Sequence, residues 1–205
     1  MLRRFESVIN DHGLTAPQLV RLVPANWKWT TLTVTDPQQF LGSLGPDQFE
    51  WFARKFMIKR DWLEGAGDYP TAWLRGNRYP NLLLKDLKEL GWLNRNLRMT
   101  VLGDKGKHRE GEPPSRCGIV FSYPISQWED SQRSFYCHAQ LGNLWNLHHS
   151  PDYMNLMAVA RWYVRVLNDY GRIPIVPVES TDLERVCLGA CPGIRTDLVF
   201  VGEMD

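Results

Sequence analysis

Long apolar runs are missing. Nowhere in the 205 residues does a hydrophobic stretch approach the roughly 18 needed to span a bilayer, so no membrane segment is expected. An excess of either charge is missing too, since 24 Lys plus Arg stand against 23 Asp plus Glu for a formal net charge of +1. Nonspecific nucleic-acid binding draws on clustered cations, so a long phosphate-tracking surface is not expected. Cysteine is scarce, with four residues at Cys117, Cys137, Cys187 and Cys191. Cys187-Leu-Gly-Ala-Cys191 is a CxxxC with no second Cys or His pair behind it, so no metal site is assigned. Histidine is scarce as well, and the adjacent His148 and His149 would face opposite ways on a strand. There is no internal repeat and no low-complexity tract. Met1 to Glu6 holds two arginines but no apolar core follows, so no secretory signal is expected. Free thiols without such a signal point to a reducing, cytoplasmic setting.

What is present in excess is aromatic: nine Trp, seven Tyr and eight Phe. Such side chains bury large areas and suit both ring-shaped ligands and flat interfaces. Six of the nine tryptophans precede residue 93, while cations gather at 95–109 and 161–172. That segregation fits a small anionic ligand with a flat ring better than a long polyanion.

Local patterns predict the elements. Residues 5–12 read as a short helix stopped by Gly13, and the β-branched, aromatic run 27–35 (WKWTTLTVT) reads as a strand. Residues 46–64 place Phe49, Phe52, Ala53, Phe56 and Met57 at helical spacing behind Pro46. A second helix is expected over 80–90, between Pro80 and Gly91. Strands follow at 96–102, 117–125 and 135–147, with a polar excursion over 103–116 between the first two. The strongest helical pattern spans 151–169, with Ser150 as N-cap and Pro151 at its first position. Short buried strands are expected at 173–178 and 198–201, separated by a Cys-bearing loop. This order lacks strict βαβ alternation. It predicts an α+β fold with a mixed, mainly antiparallel sheet packed by two or three helices. The length suits one domain, divided into an appendage over 1–45 and a core over 46–205.

Three places could carry chemistry. Cys117 follows Arg116 where a basic loop meets an apolar strand, and cations lower a thiol's pKa towards nucleophilic use. Burial as a small, inert apolar residue is the alternative, and Cys137 beside His138 has the same two readings. Arg95 and Arg98 enter the 96–102 strand three residues apart, placed either for a phosphate or as a solvated edge pair. His149, Ser150, Asp152 and Asn155 mark a helix N-terminus, where anion binding and plain capping both fit.

In order, these features resemble the thymidylate synthase superfamily, including the phage deoxycytidylate hydroxymethylases, over roughly residues 46–178. The helix 80–90 leads into Arg95 and Arg98, Cys117 follows behind Pro113-Pro114, and His149-Ser150-Pro151-Asp152 stands where the family has Arg-Ser-x-Asp. A second alignment takes Ser115-Arg116 as the arginine motif and Cys137-His138-Ala139 as the nucleophile segment. Glu50-Trp51-Phe52 resembles the family's early Glu-Trp helix. No Pro-Cys dipeptide is present, and no His-x-Tyr follows 173–178.

The resemblance implies one-carbon transfer from methylenetetrahydrofolate to C5 of a pyrimidine nucleotide. Cys117 or Cys137 would add to C6. Arg95, Arg98, Arg116, His149 and Ser150 would hold the phosphate, and Asp152 or Asn155 would read the base. Three other readings stand beside it. Many Trp with balanced charge suit an assembly subunit or homo-oligomer, as in a phage particle. Residues 82–106, with Lys85, Lys88, Arg95, Arg98 and Lys105 and with Lys107 just beyond, resemble the recognition helix and wing of a DNA-binding domain. Finally, GIVFSYPIS and GRIPIVPVES permit a Rossmann-like nucleoside site.

Overall fold

The computed structural model describes residues 1–74, 80–105, 114–127, 134–141, 144–167 and 172–188. The chain opens with six short helices: α1 (Leu2–Asp11), α2 (Ala16–Leu22), α3 (Thr31–Thr35), α4 (Pro37–Gly42), α5 (Pro46–Phe56) and α6 (Arg60–Glu64). Then come β1 (Trp73–Leu74), α7 (Pro80–Glu89), β2 (Arg98–Asp104), β3 (Arg116–Gln127), β4 (Ser134–Leu141) and β5 (Trp145–Asn146). The described chain ends with α8 (Ser150–Val166), β6 (Ile175–Val178) and α9 (Ser180–Cys187).

Strands run in the order β1-β4-β3-β2-β6, with β5 pairing β3 off that path. The central β4-β3-β2 meander is antiparallel, and β1 and β6 join its edges in parallel. This is the expected α+β class with a mainly antiparallel mixed sheet. Helices are more numerous than the two or three expected, because much of the first 64 residues is helical.

The run 27–35 is helical and not a strand. A 3-10 turn spans Ala25–Trp27 and α3 follows. Thr30 caps α3, accepting from the Thr33 amide at 3.2 Å, and the Thr33 hydroxyl accepts from the Thr30 amide at 3.2 Å. Thr35 donates its hydroxyl to the Thr31 carbonyl at 3.0 Å. Local side-chain hydrogen bonds thus satisfy a backbone whose β-propensity alone suggests a ladder. The single helix expected over 46–64 is broken at Met57, which takes φ 54° in the left-handed region. Pairing explains the break: the Met57 carbonyl accepts from Ala72 at 2.9 Å, and Lys59 donates to Pro70 at 2.7 Å. Residues 180–187 form α9 where a loop was expected, with Leu183, Val186 and Cys187 on its buried side. The strand expected at 198–201 lies outside the described residues, as do Cys191 and most of the 103–116 excursion.

Each face of the sheet has its own apolar cover. On one, Met99, Val101, Ile119, Phe121 and Ala139 belong to a cluster that continues into the N-terminal helices. There Phe5 meets Phe40, Phe49 and Phe52 edge-on, with ring centroids 5.0–5.5 Å apart. Each fully buried phenylalanine of this kind stabilises the fold by about 2–3 kcal/mol. On the other face, Leu102, Val120, Val176 and Val178 pack under α9. Gly118 sets how closely α9 approaches, since a Cβ there would lie 3.0 Å from Cys187 Sγ and 3.3 Å from Leu183 Cδ1. Among the described residues, no helix is long and apolar enough to cross a membrane.

Candidate functional site

A cleft of about 790 Å³ opens between α5, α7 and one end of the sheet. Helical spacing builds two of its walls. On α5, Trp51, Arg54 and Lys55 stand at i, i+3 and i+4, so they share one side of the helix. On α7, Asp86, Glu89 and Leu90 repeat that spacing at the helix end. Tyr123 on β3 and its register partner Cys137 on β4 supply the floor. Trp92 lies parallel to Tyr123, with ring centroids 5.3 Å apart and planes 7° from parallel. Asn94 Nδ2 donates to the Tyr123 hydroxyl at 2.7 Å and so fixes that ring.

The charges of this cleft are unevenly matched. Arg54 is exposed and bridged to Glu50 at 2.6 Å. Glu89 meets Lys85 at 3.9 Å, and Asp86 is a buried carboxylate, 7 % exposed. Lys55 is half-buried, and among the described residues no carboxylate lies within ion-pairing distance of its Nζ. Burial holds its ammonium below the usual lysine range, partly offset by attraction to Cys137. Burial likewise pushes the Cys137 thiol up to about 12, against the pull of Lys55, and that thiol donates to the Tyr123 carbonyl at 3.5 Å. The thiol is therefore neutral near pH 7.

Of the catalytic and binding candidates named from the sequence, Cys137 is the one that lines this cleft, together with Trp51 of the Glu50-Trp51-Phe52 segment. Cys117 is completely buried on β3, opposite Gly103 and Trp145, and burial pushes its thiol up to about 12. Arg98 pairs in register with Ser122, five positions along β3, so strand alternation puts it on the opposite face from Cys117. Its guanidinium sits 5.1 Å from the centre of the Tyr136 ring. Arg95 lies in the exposed turn before β2. Arg116 is spent on structure, holding Asp104 at 3.0 Å and Glu184 of α9 at 2.9 Å.

Ser150 and His149 are exposed at the start of α8. Asp152 meets His149 at 3.3 Å and accepts from the Asn146 amide at 3.2 Å, and Asn155 lies one turn further along the helix. This corner fastens β5 to α8, but no side chain caps the helix: His149 occupies the N-cap position, and Ser150, expected there, is the first helical residue. Arg98, Cys117 and Ser150 do not surround one pocket. Arg116 and Cys137 are apart as well, for Cys137 pairs with Tyr123, seven residues along β3 from Arg116.

A second buried polar group lies apart from the cleft. His12, at the end of α1, donates from Nδ1 to the Val8 carbonyl at 2.7 Å. Its ring lies 6.5 Å from that of His138, whose Nδ1 pairs with Ser122 Oγ at 2.8 Å. Neither Nε2 has a hydrogen-bond partner. Burial lowers His12 to about 4 and His138 to about 3, with His12 adding to the second shift. Among the described residues, no group of three or more His, Cys, Asp or Glu is placed to hold a metal ion.

Comparison with protein-family models, curated proteins and solved structures returned no match. The cleft residues Lys55, Asp86, Trp92 and Tyr123 were not singled out by the sequence. A signal existed in the Trp51–Lys55 and Asp86–Leu90 spacings, which put charge and ring on the same helical side. That two such sides face each other is a tertiary fact.

Proposed function

We propose that the cleft binds a small heteroaromatic ligand carrying an anionic group, of mononucleotide type. The observation that carries this is Lys55. An ammonium in a half-buried position without a carboxylate partner is costly, and an anion seated beside it removes that cost. The parallel Trp92–Tyr123 pair and Trp51 supply flat apolar surfaces for a ring, as in sites that combine apolar walls with a few placed polar groups. Quenching of tryptophan fluorescence by nucleoside monophosphates tests the reading, with inorganic phosphate as the control for charge alone. Saturable binding that weakens at least about tenfold in Lys55→Met is expected. Absence of saturable binding by every nucleotide would end it.

A narrower reading puts the one-carbon transfer of the thymidylate synthase type in this same cleft, through Cys137. Its support is the position of that thiol beside Lys55, a cation that draws it towards thiolate. A thiol at about 12 does not supply the nucleophile that methylenetetrahydrofolate chemistry requires, so no step is derived through that donor. Mass spectrometry after incubation with a 5-fluoropyrimidine nucleotide separates the two readings. A covalent adduct lost in Cys137→Ser supports transfer chemistry. Binding without an adduct leaves the cleft as a binding site.

A further inference from the structure

The walls of the cleft carry opposite charge, and this polarity selects among planar anions. On the α5 side stands Lys55; on the α7 side stand Asp86 and Glu89, and no ion pair joins Lys55 to either. A ligand filling the space therefore meets a cation at one wall and carboxylates at the other. A carboxylate accepts and never donates, and its two oxygens offer roughly four acceptor positions, so one with a protein partner still takes a donor from a ligand. Asp86 is nine-tenths buried, and covering it with a carbonyl-bearing ring edge would set lone pair against lone pair away from water.

Resting on the proposal of a heteroaromatic anion site, we infer that the cleft prefers a ring whose far edge presents adjacent N–H donors. A guanine-type edge, with a ring N–H beside an amino group, fits best because both hydrogens can meet one carboxylate side by side. Cytosine and adenine follow, since each offers an amino group next to a ring acceptor. Uracil and thymine come last, because their single N–H stands between two carbonyls. This order runs against the pyrimidine substrate implied by the sequence resemblance. Asp86 acts here as a specificity-determining residue and Glu89, at the exposed mouth, as its auxiliary.

The experiment is a titration of the full chain with GMP, CMP, AMP and UMP by tryptophan fluorescence, repeated by calorimetry. GMP is expected to bind at least about tenfold more tightly than UMP, the discrimination typical of a paired donor contact. Asp86→Asn replaces an acceptor oxygen with a donor and is expected to bring that ratio below about threefold. Should Asp86→Asn fail to fold, Glu89→Gln at the exposed end of α7 is expected to lower the ratio in the same direction, and the wild-type series stands without either variant. Equal affinities for GMP and UMP, or tighter UMP, overturn the donor-edge inference and leave the binding site itself standing. No binding of any nucleotide overturns both.

Discussion

Asp104 and Lys55 both carry charge into partly or fully buried surroundings, and the molecule treats them in opposite ways. Around Asp104 the charges and donors are matched. Arg116 donates to one carboxylate oxygen from two nitrogens, Ser180 donates to the other at 2.5 Å, and Arg116 also reaches Glu184. The same corner pairs Lys105 with Glu179 at 3.4 Å. Around Lys55 no carboxylate among the described residues answers, although two carboxylates line the same cleft. A network closed on itself holds α9 to the sheet and leaves nothing for a ligand. The unmatched ammonium in the cleft is the group on which the proposed anion site rests.

The largest expected effect comes from adding unpaired charge where no cleft opens. His12 and His138 are buried neutral, with folded pKa values near 4 and 3 against an ordinary 6.5. Below 6.5 the unfolded chain binds protons that the folded chain refuses, so stability falls as pH drops from about 6.5 towards 4 and levels off once the folded rings protonate. By pH 5 the loss is about 2 kcal/mol for each ring. Urea unfolding at pH 7 and pH 5 measures it, and His12→Gln is expected to flatten the profile. An unchanged urea midpoint between those pH values would show that the rings are not held neutral by burial.

Next in size is the closed network. Asp104→Ala leaves Arg116 with Glu184 alone and strands the Ser180 hydroxyl, for an expected loss of about 3 kcal/mol. Ligand affinity in the cleft is expected to stay as it was, since Asp104 is not among its lining residues. A loss of binding without a loss of stability would reverse the assignment of roles. Gly118→Ala tests the same region by volume, because the added methyl meets Cys187 and Leu183 and costs about 1–2 kcal/mol by thermal unfolding.

The smallest expected effect on stability falls on the residue that carries the proposed binding. Lys55→Met removes a half-buried ammonium that has no carboxylate partner among the described residues, and is expected to leave stability unchanged or raise it by up to about 1 kcal/mol. A drop of 2 kcal/mol in that variant would place Lys55 in the structural class with Asp104.

Much of the frame was legible before the structure. The helices at 80–90 and 151–169 announced themselves through Pro near the start, apolar spacing and Gly after the end, and appear as α7 and α8. Strand-like apolar runs placed β2 and β3 within a few positions, while the one strand expected over 135–147 divides into β4 and β5. Reading failed where a local preference met a competitor. WKWTTLTVT has strand propensity, yet its threonines cap and hydrogen-bond a helical turn while Trp29 packs on Phe40 and Phe52. Cys117 sits beside a cation in the chain, but Arg116 and Cys117 point to opposite faces of one strand, and the thiol is buried.

By itself, then, the sequence determined the α+β class, the two best-punctuated helices and the mainly antiparallel sheet, because each depends on neighbours within a few residues. Only the tertiary structure decided which cations are spent and which are kept. Arg116 finds Glu184 68 positions away, while Lys55 shares a cleft with Cys137, Tyr123 and Trp92 and forms no ion pair with any described carboxylate. Pairing depends on distance in space, and no spacing along the chain records it.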